Sequence, residues 1–414
     1  MARFHFRCSE CSLELDERPG LYVCPTCSGK QVQGGVTRGV LEVVIEDLPM
    51  AWPNARPGSP EFLSAFLPID DPRHLPPLPV GDTPLFAAPM LRTELGMPRL
   101  WVKDDTRNPS GSTKDRASQL VVAKAVESGA DTIAAASTGN AATALAAVAA
   151  SAGLRAVVFV PADAPPAKLV QMLSYGAVLL PVAGSYDDAF ELSLAACDRF
   201  GWTNRNTAYN PYTIEGKKTA ALEIATAMAP DVPDAVVVTA GDGVITAGLA
   251  KGFADLKTAG LIDHRPRLIV VQPEGAAAIA TALRTGMDEI TPVPGASSIA
   301  DSLTVEAPRN ALLCLRQVRA TGGSGVIVTD DAILGSIPRL ARLTGVFAEP
   351  AAAAALAGLD AALEEGLVTR DERVVLVITG SGLKDVAAAR MAIDVPDPIE
   401  PNIEAVSAVL AIRS

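Results

Sequence analysis

The stretch NPSGSTKDRAS, residues 108–118, places a lysine directly after a loop of small residues. Ser112 and, three residues later, Asp115 form a capping-box pattern, and the apolar residues that follow predict a helix. Lys114 therefore falls in the first helical turn, where the positive end of the helix dipole weakens its hold on a proton. This setting suits a nucleophilic amine, and the alternative is an ordinary solvated lysine on a surface helix.

Around this stretch, short β-branched runs alternate with longer alanine-rich helical patterns. The alternation predicts an α/β fold with parallel sheets that are covered by helices on both faces. Strands are predicted at residues 99–105, 131–137, 155–161, 177–183, 234–241, 267–273, 325–330 and 373–380. Helices are predicted near residues 114–128, 140–152, 165–175, 186–199, 214–229, 244–258, 309–320, 330–344, 350–365 and 382–392.

Glycine-containing loops follow three of the predicted strands, at residues 137–140 (STGN), 240–248 (AGDGVITAG) and 379–385 (TGSGLKD). In parallel sheets ligands bind at the carboxyl ends of the strands, and glycine there lets backbone amides face an anion at a helix N-terminus. One such loop is weak evidence, because many strand-to-helix turns need glycine for their shape. The three loops together with Lys114 predict a single binding site.

Composition and charge narrow the classes of function. The chain has 414 residues, of which 49% are hydrophobic and 20% charged, and its net charge is -12. This is a globular composition, and the acidic balance argues against nucleic-acid and membrane partners. The most apolar helical run, residues 141–154, is shorter than the roughly 20 residues that span a bilayer, and the first residues lack a signal-peptide core. The sequence therefore predicts a cytoplasmic protein.

Four of the six cysteines, Cys8, Cys11, Cys24 and Cys27, form two C-x-x-C pairs near the start of the chain. Two such pairs bring four thiolates to one tetrahedral centre, which predicts a structural zinc ribbon with no open position for catalysis. The alternatives are two disulfides, a redox-active dithiol, or a motif that no longer binds metal.

Two segments connect this ribbon with the main body. Residues 34–49 predict a short hairpin or strand. Residues 49–84 are rich in proline and cannot form a continuous helix or a central strand. Because this segment carries Phe62, Phe66 and Leu67, it is predicted to be an extended arm packed over the main body, and a free linker is the alternative.

These residues resemble the fold-type II pyridoxal-phosphate enzymes, and among them most of all the threonine synthases. Residues 108–118 are similar to the family segment that holds the Schiff-base lysine, and residues 137–140 to the loop that binds the substrate carboxylate. Residues 209–224, 345–359 and 379–385 are similar to further segments of that family. A zinc ribbon also precedes the catalytic body in bacterial members, so the resemblance covers the ribbon and about residues 80–392.

The resemblance implies a tryptophan-synthase-β-like fold of two doubly wound parallel-sheet domains, with pyridoxal 5'-phosphate as the cofactor. It implies that Lys114 binds this cofactor covalently and later moves protons between Cα and Cβ of the substrate. Thr379, assisted by Ser381, would face the pyridine nitrogen, and Asn140 the phenolic oxygen. The cofactor phosphate is assigned to Gly241, Asp242, Gly243, Val244, Ile245 and Thr246, and the substrate to Ser137, Thr138, Gly139, Asn140, Ser185, Asn210 and Lys218.

The implied reaction converts O-phospho-L-homoserine and water into L-threonine and phosphate. The alternatives are related enzymes of β- or γ-elimination or replacement: a threonine or serine dehydratase, a diaminopropionate ammonia-lyase, or a cysteate-synthase-like enzyme. A non-catalytic metabolite sensor is an alternative from another class.

The chain departs from the family pattern on the substrate side more than on the cofactor side. Its phosphate loop is one residue shorter, and Asp242 beside a phosphate is electrostatically awkward unless its side chain points away. Thr213 stands where the family usually has an arginine that helps to bind the leaving group, and Arg309 is a candidate for the missing charge. Thr113 stands before the lysine where phenylalanine is common.

The same resemblance predicts a homodimer with a small amino-acid substrate and with neither a nucleic-acid nor a membrane partner. The chain is predicted to divide into five segments. Residues 1–48 form the zinc-ribbon-like module with its hairpin, and residues 49–130 form the arm with the first part of the large domain. Residues 131–233 form a smaller substrate-side domain, residues 234–395 the rest of the large domain, and residues 396–414 a C-terminal tail.

Overall fold

The computed structural model describes residues 3–162, 164 and 166–413. Some predicted segments extend beyond this part of the chain. They are the helix predicted at 165–175, at its first residue, and the segments 1–48 and 396–414, at their outermost residues. The described strands, in chain order, are β1 (Phe4–Cys8), β2 (Glu14–Leu15), β3 (Leu41–Ile45), β4 (Leu85–Ala87), β5 (Leu100–Asp104), β6 (Thr132–Ala136), β7 (Arg155–Pro161), β8 (Val178–Val182), β9 (Thr203–Asn204), β10 (Ala235–Thr239), β11 (Arg267–Pro273), β12 (Ser324–Val328) and β13 (Val374–Ile378).

Helices surround these strands and connect most of them. The described α-helices, in chain order, are α1 (Pro60–Ser64), α2 (Pro89–Leu95), α3 (Lys114–Glu127), α4 (Asn140–Ser151), α5 (Pro166–Ser174), α6 (Tyr186–Phe200), α7 (Tyr212–Lys217), α8 (Thr219–Met228), α9 (Val244–Thr258), α10 (Ala278–Thr285), α11 (Ala311–Ala320), α12 (Asp330–Thr344), α13 (Pro350–Glu364), α14 (Val386–Arg390) and α15 (Ile403–Arg413).

Two parallel sheets form the main body. The larger sheet has the strand order β12-β11-β10-β13-β5-β4, and β4 at its edge is antiparallel to β5. The smaller sheet has the order β8-β7-β6-β9, and all of its pairings are parallel. The predicted α/β class with parallel sheets is therefore confirmed. The small-sheet strands lie within residues 132–204, inside the predicted smaller domain, and the exact domain boundaries stay a prediction.

The sequence explains why these sheets are buried on both faces. Every residue of β13, VVLVI, is buried, as is typical of a central parallel strand that carries helices on both faces. Alanine-rich helices then approach the sheet closely. At Gly358 of α13, an added Cβ would lie 2.2 Å from Cγ2 of Val271, so only glycine fits there.

The N-terminal module is a three-stranded antiparallel sheet of order β2-β1-β3. Strand β3 lies within the segment that was predicted to be a hairpin or strand. In the proline-rich arm, Phe62, Phe66 and Leu67 are buried in the same core as the first helices of the main body. The prediction of a packed arm is therefore confirmed, and the arm includes one short helix, α1, capped by Ser59.

The local predictions differ from the structure in a few places. All eight predicted strands of the main body are present, but the strands β1, β2, β4 and β9 and the helices α1, α2, α10 and α15 were not predicted. The helix predicted at 214–229 is divided into α7 and α8 at Lys218, and the one predicted at 382–392 is a 3-10 turn followed by α14. Among the described residues, none of the helices is long and apolar enough to cross a membrane.

Candidate active site

Lys114 is the first residue of α3, as predicted, but the predicted capping box is wrong. The carboxylate of Asp115 accepts hydrogen bonds from the amide and the hydroxyl of Ser110, at 2.7 and 2.5 Å, and so faces away from Ser112. The start of α3 is instead held by the backbone, because the amide of Thr113 donates to the carbonyl of Thr379 over 2.8 Å. This bond fixes the lysine at the carboxyl end of β13.

A buried ionic network anchors the same helix two residues further on. Arg116 is fully buried and donates from Nε to Asp105 at 2.8 Å and from Nη1 to Glu223 at 2.5 Å. Lys103 donates to the other oxygen of Glu223 at 2.6 Å. Burial raises the pKa of Glu223, but the charges of Arg116 and Lys103 outweigh it and lower the pKa to about 2. Two cations and two carboxylates thus connect β5, α3 and α8.

Lys114 lines a cavity at the carboxyl ends of β10 and β13, which is the edge that the three loops were predicted to share. Its walls come from the loop between β10 and α9, from α3 and α7, and from the segments before α13 and after β13. The lining residues are Lys114, Thr207, Lys217, Thr239, Ala240, Gly241, Asp242, Gly243, Val244, Ile245, Ser302, Leu303, Glu349, Ala351 and Thr379.

The loop of residues 241–243 leads into α9 so that its amides stand at a helix N-terminus, a setting that suits an anion. Gly243 has a φ of +84°, in the left-handed region that favours glycine. The carboxylate of Asp242 is turned aside, since it accepts a hydrogen bond from the amide of Arg309 at 2.9 Å. Thr246 is buried in the first turn of α9 and is not among the residues that line the cavity.

Arg309 does not supply charge to this cavity. Its Nη2 pairs with Asp187 at 2.5 Å, and its guanidinium lies 3.9 Å from the centroid of the Phe190 ring. Thr213 is buried and neutral, and its hydroxyl donates to the carbonyl of Asn210 at 2.7 Å. The proposal that Arg309 replaces the family arginine is therefore contradicted by its contacts.

The loop of residues 137–140 opens α4 beside this cavity. Thr138, Gly139 and Asn140 line an adjoining cavity, and Glu349 lines both. Asn140 donates from Nδ2 to both carboxylate oxygens of Glu349, at 2.9 and 3.1 Å. The hydroxyl of Ser137 accepts a hydrogen bond from the amide of Gly139 at 3.2 Å, which shapes the loop.

The two hydroxyls assigned to the pyridine nitrogen differ in position. Thr379 is buried and lines the cavity directly after β13. Ser381 caps the 3-10 turn of residues 382–384, because its hydroxyl accepts the amide of Leu383 at 3.3 Å. Thr379 thus faces the site, and Ser381 supports the loop.

Three residues assigned to the substrate are not brought to the cavity. Ser185 caps α6 in a capping box with Asp188. Asn210 is buried and donates to the carbonyl of Asn204 at 2.6 Å. Lys218 is fully buried, and its amine pairs with Asp255 at 2.8 Å and also with Glu215. Each of these side chains has a structural partner instead.

Sequence reasoning missed two charged residues of the site, Lys217 and Glu349. Glu349 lies immediately before the proline that begins α13, within a segment already noted for its similarity. Lys217 follows Thr213 by four residues, and in a helix that spacing puts both on one face, which is the signal that was available. Both residues line the cavity that holds Lys114.

Burial controls the electrostatics of the site. It lowers the pKa of Lys114, and the nearby charge of Arg205 lowers it further while Glu349 opposes the change. Burial raises the pKa of the Glu349 carboxyl, against the hydrogen bond from Asn140 and the charge of Lys114. The cavity therefore favours an unprotonated, nucleophilic amine at Lys114.

The four N-terminal cysteines converge on a second candidate site. Their sulfur atoms all lie within 4.8 Å of one another, with Cys8 and Cys27 3.8 Å apart and Cys11 and Cys24 3.7 Å apart. The structure contradicts the disulfide alternative, because all four are free thiols. Four sulfurs at about 2.3 Å from a tetrahedral zinc stand about 3.8 Å apart, so the cluster has the dimensions of such a site.

Comparison with known proteins identifies one family model and several similar proteins. The family model described as pyridoxal-phosphate dependent enzyme matches residues 77–380. The chain is 34% identical to the threonine synthase of Methanosarcina acetivorans over 407 residues, which are 97% of this chain and 98% of that protein. It is 37% identical to the threonine synthase of Methanocaldococcus jannaschii over 83% of this chain and 85% of that one.

Among solved structures, the processed form of threonine deaminase isoform 2 from Solanum lycopersicum is similar in fold. It superposes with a TM-score of 0.64 over 81% of this chain and 92% of that chain, at 21% identity. At this identity the likeness concerns the fold alone.

Proposed function

The chain belongs to the pyridoxal-phosphate-dependent enzyme family, and on that basis we propose that it converts O-phospho-L-homoserine and water into L-threonine and inorganic phosphate. The observation that carries this proposal is the match with a threonine synthase over 97% of this chain and 98% of that relative. A match of this extent includes the cysteine-rich module as well as the catalytic body.

The cavity residues fit pyridoxal phosphate. Lys114 offers an amine for the aldehyde, the amides of residues 241–245 offer an anion site at the start of α9, and Thr379 offers a hydroxyl for the ring nitrogen. The hydroxyl of Thr239 lines the same cavity, is buried and has no hydrogen-bond partner among the described residues. Buried polar atoms without a partner are costly, which supports a polar ligand here.

Pyridoxal phosphate, when bound, supplies an electron-withdrawing ring that makes the Cα–H bond of the amino acid acidic. Lys114 would hold the cofactor through Nζ, and as a free amine Nζ would take and return protons at Cα and Cβ of the substrate. The lowered pKa of Lys114 keeps a larger fraction of this amine unprotonated near neutral pH. One residue can therefore act as the base and then as the acid.

The loop of residues 137–140 binds the substrate carboxylate in this proposal, with its amides at the start of α4. Asn140 is held by two hydrogen bonds to Glu349, which fix its side-chain amide, and it would face the phenolic oxygen of the cofactor. Thr379 would offer a neutral hydroxyl to the pyridine nitrogen, which would moderate the electron demand of the ring. Ser185, Asn210 and Lys218 have no part in the proposed site.

We propose that Cys8, Cys11, Cys24 and Cys27 hold a structural zinc ion, which the sulfur–sulfur distances support. Four protein ligands would leave no open position on the metal. The cytoplasmic location and the homodimer stay predictions.

The proposal is tested by a product screen with the purified holoenzyme. O-phospho-L-homoserine should release inorganic phosphate and L-threonine in equal amounts, and Lys114→Ala should release neither. Threonine, serine and diaminopropionate should give little ammonia. If O-phospho-L-homoserine is inert while one of these amino acids yields ammonia and a 2-oxo acid, the enzyme is an elimination enzyme of the same family and the proposal is wrong.

A further inference from the structure

Lys217 is a buried cation to which the steps above give no role. It ends α7, is 1% exposed, and its Nζ has no hydrogen-bond partner among the residues the structure describes. Lys217 also lines the cavity that holds Lys114. Its position is tightly fixed, because α7 packs so closely on the first turns of α9 that a Cβ on Gly248 would lie 2.7 Å from the Cβ of Lys217.

Neighbouring lysines show how this chain normally treats a buried ammonium group. Lys218, the next residue, pairs with Glu215 and Asp255. Lys251 on α9 pairs with Asp255 at 2.6 Å. Lys217 has no such carboxylate partner within the described chain, although an isolated buried charge costs several kcal/mol. The contrast indicates that the partner of Lys217 is a ligand.

Arg205 is a second buried basic residue near Lys217. Arg205 is fully buried, its Nη1 donates to the hydroxyl of Thr207 at 2.8 Å, and its Nη2 has no hydrogen-bond partner among the described residues. Thr207 in turn lines the cavity. Burial, reinforced by the charges of Lys114 and Arg205, holds the pKa of Lys217 well below its ordinary value, while Asp242 opposes this only in part. Three basic groups are thus buried close together, and a bound anion would favour their charged forms.

The substrate in the proposed reaction carries a phosphate group, which needs a cation on the substrate side of the site. Thr213, one helical turn before Lys217, is neutral and its hydroxyl is already bonded to a backbone carbonyl. In the proposed function Lys114 would hold the cofactor, and the amides of residues 241–245 at the N-terminus of α9 would bind the cofactor phosphate. Lys217 is the remaining cation among the described residues that line the cavity.

We propose that Lys217, supported by Arg205, binds the phosphate group of the substrate and holds it as it leaves. This inference rests on the proposed function, since it names the residue that recognises the phosphate ester. It makes Lys217 the residue that selects a phosphorylated amino acid over an unphosphorylated one. A charge-assisted contact with a dianion at this buried site would also restore the full charge of the lysine.

The test measures phosphate binding and cofactor binding separately in Lys217→Met, Lys217→Gln and Lys217→Arg. Inorganic phosphate is titrated into each holoenzyme by calorimetry, and pyridoxal phosphate into each apoenzyme by absorbance. We expect the two neutral variants to bind inorganic phosphate about 10- to 100-fold more weakly, the range of one charged hydrogen bond, with cofactor affinity unchanged. The KM for O-phospho-L-homoserine should rise by a similar factor, and Lys217→Arg should restore part of the binding.

Lys257→Met is the matched control, because Lys257 is an exposed lysine near the end of α9. Since Lys217 has no hydrogen-bond partner to lose among the described residues, its neutral variants should melt no lower than the wild type. If cofactor affinity falls while phosphate binding stays, Lys217 serves the cofactor phosphate and the proposal is overturned. If neither changes, Lys217 is only structural and the proposal is overturned as well.

The calorimetric titration with inorganic phosphate does not depend on turnover, so it tests the role of Lys217 separately from the proposed function. If the wild type makes no threonine from O-phospho-L-homoserine, the proposed function fails. Phosphate binding to the holoenzyme that depends on Lys217 would then still support a phosphate subsite at this residue. Phosphate binding that survives in Lys217→Met and Lys217→Gln would refute the subsite, whatever the enzyme turns over.

Discussion

The carboxylate of Asp242 accepts a hydrogen bond from the backbone amide of Arg309 at 2.9 Å. The backbone carbonyl of Asp242 accepts a second bond, from the amide of Asn310, at 3.1 Å. Both bonds hold the loop before α9 against the start of α11. They also explain how an acidic residue can stand in a loop proposed to bind phosphate, because only the backbone of Asp242 is needed there.

This relationship predicts opposite results for two substitutions of Asp242. Asp242→Asn keeps an acceptor for the Arg309 amide and removes a negative charge near the phosphate, so cofactor affinity should stay equal or become tighter. Asp242→Ala removes the acceptor, and the loss of one such bond, about 1 kcal/mol, should weaken cofactor binding about 5-fold. Titration of the apoenzymes with pyridoxal phosphate measures both. Equal weakening in the two variants would mean that the carboxylate charge itself is required.

Lys114 should show its lowered pKa in the rate at which apoenzyme takes up the cofactor. Burial is the largest cause of this shift, and the uncharged amine is the reactive form. Uptake should therefore rise with pH with a midpoint below 10.5, the ordinary lysine pKa. Because the charge of Glu349 raises the pKa of Lys114, Glu349→Gln should move the midpoint to still lower pH. The growth of the absorbance band with time gives the rate at each pH.

Lys114→Ala is the control for this experiment and should give no covalently bound cofactor. A midpoint close to 10.5 in the wild type would contradict a buried amine. An unchanged midpoint in Glu349→Gln would contradict the inferred coupling between the two side chains.

Local patterns were sufficient to place Lys114 at the start of a helix but not to choose its contacts. Asp115 has a capping partner at the expected spacing in Ser112, yet it binds Ser110, because the loop folds back toward it. Likewise Lys217 and Lys218 are adjacent in sequence, and the sequence alone does not tell which of them reaches the cavity. That outcome depends on how α7 packs against α9, because Glu215 of α7 and Asp255 of α9 pair with Lys218.

In the fold, too, local sequence patterns predicted some elements, while tertiary contacts determined others. Long buried strands such as β10, β11 and β13 were predictable from their continuous apolar runs. Strand β9 has two residues, Thr203–Asn204, and owes its pairing to the neighbouring β6 rather than to its own composition. Tertiary contacts determine such short edge strands, so their sequences carry little signal.

Arg116 should be among the residues whose loss costs the most stability. Its guanidinium is fully buried and donates hydrogen bonds to both Asp105 and Glu223. Arg116→Met would leave two buried carboxylates without it, a change that typically costs about 3–5 kcal/mol. Urea unfolding of the apoenzyme measures this loss. Arg373→Met is a suitable comparison, because Arg373 pairs with Asp231 and Asp234 at a more exposed site, and its loss should cost less than about 1 kcal/mol.

The same network predicts how the protein responds to acid. The pKa of Glu223 falls from 4.5 to about 2 in the folded chain, so the carboxylate stabilises the fold at every pH above its unfolded value. As the pH falls from 4.5 toward 2, the unfolded chain takes up the proton first, and the stabilisation is progressively lost. The free energy of unfolding should therefore decrease steeply in this window. Glu223→Gln should be less stable at neutral pH and should show a shallower decrease, whereas an unchanged slope would exclude Glu223 as a source of acid sensitivity.

Removal of the proposed zinc should destabilise the N-terminal module and leave the chemistry intact. The cysteine cluster joins the turn after β1 to the segment before β3, and the amide of Thr37 in that segment donates to the carbonyl of Arg309 at 2.8 Å. Loss of the metal should thus lower the melting temperature and, through Arg309 and Asp242, weaken cofactor affinity. The kcat at saturating cofactor should change little, since a metal with four protein ligands has no open position.

Elemental analysis should find one zinc ion per chain in the wild type and much less in Cys11→Ser. Cys197→Ser is the control, because Cys197 is a buried cysteine outside the cluster, and it should keep the metal. Chelation of the wild type should reproduce the lower melting temperature of Cys11→Ser. A chelated enzyme that stays fully folded and saturated with cofactor but loses its kcat would show that the metal takes part in the reaction, and the structural assignment would then be wrong.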